Sequence, residues 1–157
     1  MSDPTSERVS PTPPWRTSPV ASTNCPLRVL LAEDDDDMRE LVADALRRDG
    51  YEVVAVPDGG RLLVSIGRSY ASGRAHQDYD LIVADIRMPV CDGLQILEEL
   101  RKAAWPTPTI LMTSYDDAST RARADALGAV LFSKPFDTDD LRTAARNLTC
   151  FRGRPPT

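Results

Sequence analysis

Apolar residues in this chain come in short dense runs separated by longer amphipathic stretches. The runs are Arg28 to Ala32 (RVLLA), Tyr51 to Val56 (YEVVAV), Leu81 to Ala84 (LIVA), Thr109 to Met112 (TILM) and Ala129 to Ser133 (AVLFS). Each has the length and composition of a strand, and Leu81 to Ala84 suits a strand covered on both faces. Between them, Met38, Leu41, Val42, Ala45 and Leu46 recur at helical spacing. Leu62, Leu63, Ile66 and Tyr70 mark a second helix, Leu94, Leu97 and Leu100 a third, and Leu141, Ala144, Ala145 and Leu148 a last one. Asp116 to Leu127, rich in Ala and Arg, is expected to form a helix with a thin apolar face, which often accompanies mobility.

Punctuation agrees with this division. Gly50 and Gly128 close helices, Asp58, Asp92 and Asp137 can cap them, and Trp105-Pro106 ends the third. Ala71 to Asp78 is polar and is expected to be a loop. Strands and helices alternating in this way predict an α/β fold with a five-stranded parallel sheet and helices on both faces.

Residues 1–26 hold six prolines, many hydroxyl residues and a lone Trp15, and are expected to be a disordered arm. The folded domain should span 27–149, with a short tail at 150–157. A chain of 157 residues suits one core. The formal charge is −5; Arg152 and Arg154 in the tail contribute +2 and the arm is neutral, which leaves −7 on residues 27–149. This balance argues against direct nucleic-acid binding. No apolar run suits membrane insertion, and no signal peptide is evident. Cys25, Cys91 and Cys150, with His76 as the sole histidine, suggest neither a zinc site nor a disulfide framework. A cytoplasmic, reducing compartment is the expectation.

In a parallel sheet all strand C-termini lie on one rim, where open α/β folds bind ligands. The polar residues there are Glu33 and Asp34, Asp85, Thr113 and Ser114, and Lys134. Three carboxylates brought together repel one another unless a cation joins them. Oxygen ligands without His or Cys point to Mg²⁺ or a similar ion. Asp85 could then act as a nucleophile toward a phosphoryl group, with Lys134 and the Thr113 hydroxyl on its oxygens. Asp36 and Asp37 are expected to be only a solvated helix start, and Cys91 only a small residue beside the site.

Four motifs in order, LLAEDDDD, LIVADIRMPVCDG, ILMTS and SKPFD, closely resemble those of response regulator receiver domains from two-component signalling. The resemblance covers Leu27 to about Thr149 and implies a flavodoxin-like (βα)5 domain with strand order 2-1-3-4-5. It implies that Asp85 is phosphorylated by a sensor histidine kinase or phosphotransfer protein, or by a small phosphodonor. It also implies Mg²⁺ held by Asp34, Asp85 and the Arg87 backbone carbonyl, Glu33 acting through water, phosphoryl contacts from Thr113 and Lys134, and a cis Lys134-Pro135 bond.

Receivers usually carry Tyr or Phe three residues before the motif lysine, where Leu131 stands here. The interval from Gly128 to Lys134 is also one residue shorter than is common, which makes Phe132 a second candidate for the switch, although strand alternation points it to the opposite face. Arg87 and Tyr115 occupy positions that tune phosphoryl lifetime in the family; their bulk predicts slow self-dephosphorylation. Only CFRGRPPT follows Thr149, so the expectation is a stand-alone receiver that acts on a downstream protein target. Two other classes compete: a degenerate receiver serving as a phosphorylation-independent interaction module, and a Mg²⁺-dependent phosphohydrolase. The hydrolase would need an acid two residues after its nucleophile, where Arg87 stands.

Overall fold

A computed structural model describes residues 26–74 and 78–150. The expectations for the arm up to Cys25, for the tail beyond Cys150, and for Trp15 and His76 lie outside the described residues. In chain order the elements are β1 (Arg28–Ala32), α1 (Asp36–Arg48), β2 (Glu52–Val56), α2 (Gly59–Ala71), β3 (Leu81–Asp85), α3 (Gly93–Lys102), β4 (Thr109–Thr113), α4 (Ala118–Ala126), β5 (Val130–Ser133) and α5 (Thr138–Thr149). The strands form one parallel sheet in the order β2-β1-β3-β4-β5. The parallel sheet read from the alternation, and the flavodoxin-like order 2-1-3-4-5 implied by the resemblance, are thus the fold observed.

Strand pleating sends alternate residues to opposite faces. Leu30, Ala32, Ile82, Ala84 and Leu111 meet α2, α3 and α4 through Leu62, Ile66, Leu94, Leu97 and Ala124. Val29, Leu31, Val83, Ile110 and Met112 meet α1 and α5 through Val42, Leu46, Leu141 and Ala145. The three central strands are fully covered, which is why their sequences read as unbroken apolar runs.

Each helix starts on an aspartate. Asp35, Asp58, Asp92, Asp117 and Asp137 accept backbone N–H bonds from the first turns of α1 to α5, and Gln95 completes a capping box at α3. Part of the domain's excess acid therefore serves as caps. Gly50 and Gly128, just past α1 and α4, have φ of +92° and +75°, the left-handed helix stop.

Three assignments of buried stripes need correction. Leu41, Leu63 and Tyr70 are 53%, 42% and 67% exposed. The buried line of α2 runs Gly59, Leu62, Ile66 and Ser69, so its axis is turned by about a residue from the expected stripe. On α1, Val42, Ala43, Ala45 and Leu46 suffice to cover the sheet. The thin face expected of α4 is observed, since Ala124 is its only buried residue.

Candidate phosphoryl-transfer site

Four strand ends converge at the C-terminal rim. β1 delivers Glu33 and Asp34, β3 ends on Asp85, β4 ends on Thr113, and β5 leads into Lys134. The parallel registers pair Ala32 with Ala84 and Asp85 with Met112, which places these groups side by side although the sequence separates them widely.

Glu33 is completely buried and Asp85 nearly so. Lys134 Nζ donates to Glu33 Oε1 at 2.6 Å and to Asp85 Oδ2 at 2.8 Å. The second oxygen of Glu33 accepts the Asp35 N–H at 3.1 Å, and Asp85 Oδ1 accepts the Arg87 N–H at 3.3 Å. One carboxylate oxygen from each of Glu33, Asp34 and Asp85 lies within 4.8 Å of the others. Partial desolvation, followed by the neighbouring Glu33, raises the pKa of the Asp34 carboxyl, although Asp34 is exposed and Lys134 opposes the shift. Burial alone would lower the pKa of Lys134, but hydrogen bonds to Asp85 and Glu33 outweigh it and raise the value. The lysine thus stays charged.

Thr113 is buried with its hydroxyl engaged by Tyr115, accepting the Tyr115 N–H at 2.9 Å and donating to the Tyr115 carbonyl at 3.2 Å. The structure brings Glu33, Asp34, Asp85 and Lys134 together, whereas the Thr113 hydroxyl bonds within its own turn. Arg87 and Tyr115 contact each other, the guanidinium carbon lying 3.9 Å from the ring centroid. The Lys134-Pro135 bond is cis.

Leu131 packs against the core on the α2–α4 face, while Phe132 joins the α1–α5 face, its ring centroid 5.4 Å from that of Phe136. Pairing between β4 and β5 is continuous from Ile110–Val130 to Thr113–Ser133, so alternation governs both side chains. Leu131 and Phe132 thus pack on opposite faces of the sheet, as the alternation expected.

A family model for the response regulator receiver domain matches residues 29–146. The chain belongs to that family. Among curated relatives it is 36% identical over 124 residues to the response regulator protein PmrA of Pseudomonas aeruginosa, covering 78% of this chain and 52% of that protein. It is 34% identical over 115 residues to the regulatory protein AtoC of Escherichia coli, covering 73% of this chain and 23% of that one. The chain thus spans about half or less of these relatives' lengths. Among solved structures, the receiver domain of the Francisella response regulator 1452 superposes with a TM-score of 0.71 at 27% identity, covering 80% of this chain and 98% of that one. The chemotaxis response regulator CheY4 of Vibrio cholerae gives 0.65 at 25%, covering 79% and 99%.

Two groups near the receiver pocket escaped the sequence reading. Asp116 accepts from Ser133 and pairs with Arg121, which ties the β4–α4 turn to β5 and to α4. No local pattern announces a contact across 17 residues between an ordinary loop acid and a serine. Gly93 and Gly59 allow close backbone approach: a Cβ on Gly93 would lie 2.6 Å from the Asp85 carbonyl oxygen, and one on Gly59 2.1 Å from that of Cys91. Their placement at helix starts was legible, but the crowding was not.

Proposed function

We propose that Asp85 is the phosphoacceptor and that this receiver passes its phosphorylation state on through protein contacts. The observation that carries the reading is the buried pair of carboxylates, Glu33 and Asp85, bridged by Lys134 at the rim of the sheet beside Asp34. An Asp85 carboxylate oxygen attacks phosphorus in the donor, a phosphohistidine or an acyl phosphate. A P–O bond to Asp85 forms as the donor's P–N or P–O bond breaks, and its electron pair leaves with the imidazole or the acetate. Lys134 neutralises charge gathering on the phosphoryl oxygens, and Thr113 reaches them once its hydroxyl leaves the Tyr115 backbone.

The donor set fits Mg²⁺. Asp34, Asp85 and the Arg87 carbonyl would hold it, with Glu33 acting through water; the approach of three carboxylate oxygens to within 4.8 Å of one another supports this set. When bound, the ion would neutralise the donor's phosphoryl oxygens during transfer. The bulk of Arg87 and Tyr115 beside the acceptor, rather than their mutual stack, supports a shielded acyl phosphate and slow self-dephosphorylation.

The expected partners are a sensor histidine kinase or phosphotransfer protein and a downstream protein target, in a cytoplasmic setting and without direct nucleic-acid contact. No helix among the described residues is long and apolar enough to cross a membrane. Beryllofluoride with Mg²⁺, a mimic of the acyl phosphate, tests the reading. The thermal midpoint should rise by several degrees in the wild type and stay fixed in Asp85→Asn. A wild type that does not respond would favour the phosphorylation-independent interaction module, a reading to which Leu131 at the aromatic position lends some weight.

A further inference from the structure

The turn between β4 and α4 is held in three ways. Tyr115 lies under the Arg87 guanidinium, its N–H and C=O are bonded to the Thr113 hydroxyl, and Asp116 clasps Ser133 and Arg121. Each anchor sits on or next to a group that a phosphoryl at Asp85 would attract: Arg87 itself, Thr113 itself, and Lys134, the neighbour of Ser133. Arg87 is exposed and forms no ion pair among the described residues; beyond the ring, its charge acts on Asp117, the α4 cap, only as a minor cause of that carboxyl's lowered pKa. Its backbone N–H is already 3.3 Å from Asp85 Oδ1, so its side chain starts within reach of anything bonded there. A guanidinium binds phosphoryl oxygens through paired charge-assisted hydrogen bonds, stronger than a contact with a ring that is 57% exposed.

We propose that Arg87 is a positioning residue that couples Asp85 to the β4–α4 turn: on phosphorylation its guanidinium leaves Tyr115 for the phosphoryl oxygens, and the Asp116 clasp on Ser133 and Arg121 opens. The proposal rests on Asp85 as acceptor. It gives this chain a route from the site to α4 that does not need an aromatic residue at position 131. With Arg87 and Thr113 both drawn to the phosphoryl group, the turn keeps only the exposed Asp116 contacts, which are individually weak. Helix α4 would follow readily, because Ala124 alone anchors it in the core.

Amide hydrogen exchange resolved to single residues tests this on the full chain. The reporters are the amides of Thr120 and Arg121, bonded to Asp117 Oδ1 and the Asp117 carbonyl; the Tyr115 amide is left out because Thr113 releases it on loading whatever Arg87 does. Wild type loaded with beryllofluoride and Mg²⁺ should exchange these amides on the order of fivefold faster than unloaded wild type. Unloaded Arg87→Ala should already exchange about threefold faster than unloaded wild type, with less than a twofold further gain on loading. Arg87→Lys, which keeps charge but loses planar stacking, should fall between the two. Unchanged exchange in wild type whose thermal midpoint rises on loading, or wild-type exchange in unloaded Arg87→Ala, overturns the coupling. A wild type that takes no beryllofluoride removes the acceptor reading and this proposal with it; unloaded Arg87→Ala still shows whether the stack restrains the turn.

Discussion

Gly93→Ala should damage both stability and phosphorylation, and the structure states why. Gly93 opens α3 directly behind the acceptor strand, with its N–H bonded to the Ile86 carbonyl at 2.9 Å. A Cβ there would lie 2.6 Å from the Asp85 carbonyl oxygen and 3.3 Å from both its carbonyl carbon and Leu111 Cδ2. Ordinary contact begins near 3.4 Å, so β3 and the helix start must separate by about 0.8 Å. The strand end is fully packed, and overpacking of this kind costs about 1–3 kcal/mol, roughly 4–12 °C in a domain of this size. The same displacement moves the acceptor carboxylate relative to Lys134, which should slow phosphorylation by acetyl phosphate about 10–100-fold. Gly67→Ala is the control. Gly67 lies exposed inside α2 with nothing within 4 Å of a Cβ, so alanine should stabilise by about 0.5–1 kcal/mol and leave the phosphorylation rate alone. Thermal unfolding and a mass-resolved phosphorylation time course on both variants decide the matter. If Gly93→Ala melts and reacts like wild type, or both variants shift the same way, the crowding argument is refuted.

Lys134→Ala should slow phosphorylation by acetyl phosphate about 100-fold or more, measured by the same time course, because no other described cation touches the acceptor. Asp34→Asn should melt higher than wild type in EDTA: a carboxyl whose pKa is raised in the folded state is disfavoured as an anion at neutral pH, and asparagine removes that penalty. The variant should also lose the Mg²⁺-dependent rise in thermal midpoint, about 1.4 kcal/mol at tenfold excess over Kd in wild type. Asp49, held by Arg142 at 2.6 Å and Arg146 at 3.1 Å, has its carboxyl pKa lowered chiefly by Arg142. That stabilisation is present above the ordinary carboxylate pKa and disappears as pH falls through the lowered folded value. Asp49→Asn should therefore lower the urea midpoint at pH 7 and lose less than wild type between pH 5 and pH 2. Val90, β-branched and 82% exposed, has a φ of +79°; Val90→Gly should raise the thermal midpoint by relieving about 1 kcal/mol of strain, offset in part by glycine's entropy.

The fold was legible because strands covered on both faces leave unbroken apolar runs, as in Leu81–Asp85 and Thr109–Thr113, and because glycines and aspartates mark the helix ends. The placement of Glu33, Asp34, Asp85, Thr113 and Lys134 at the rim followed from parallel topology, which puts every strand's C-terminal end on one side. Helix faces were less legible. Leu41, Leu63 and Tyr70 fit the spacing, but on helices packed against one side of a sheet a narrower stripe is enough. Contacts between loops were not legible at all: the Arg87–Tyr115 stack and the Asp116–Ser133 bond depend on how two turns approach in space, and nothing local in either turn encodes the other. Whether Leu131 or Phe132 faced the α2–α4 core also waited on the register of β5, which the shorter interval before Lys134 had left open.

Whether Asp85 accepts a phosphoryl group is read from intact mass after incubation with acetyl phosphate and Mg²⁺. A gain of about 80 Da, the mass of one phosphoryl group, is expected, absent in Asp85→Asn and reversed by hydroxylamine as befits an acyl phosphate. A gain that persists in Asp85→Asn would place the chemistry elsewhere. No gain in a wild type that also fails to respond to beryllofluoride would contradict the account.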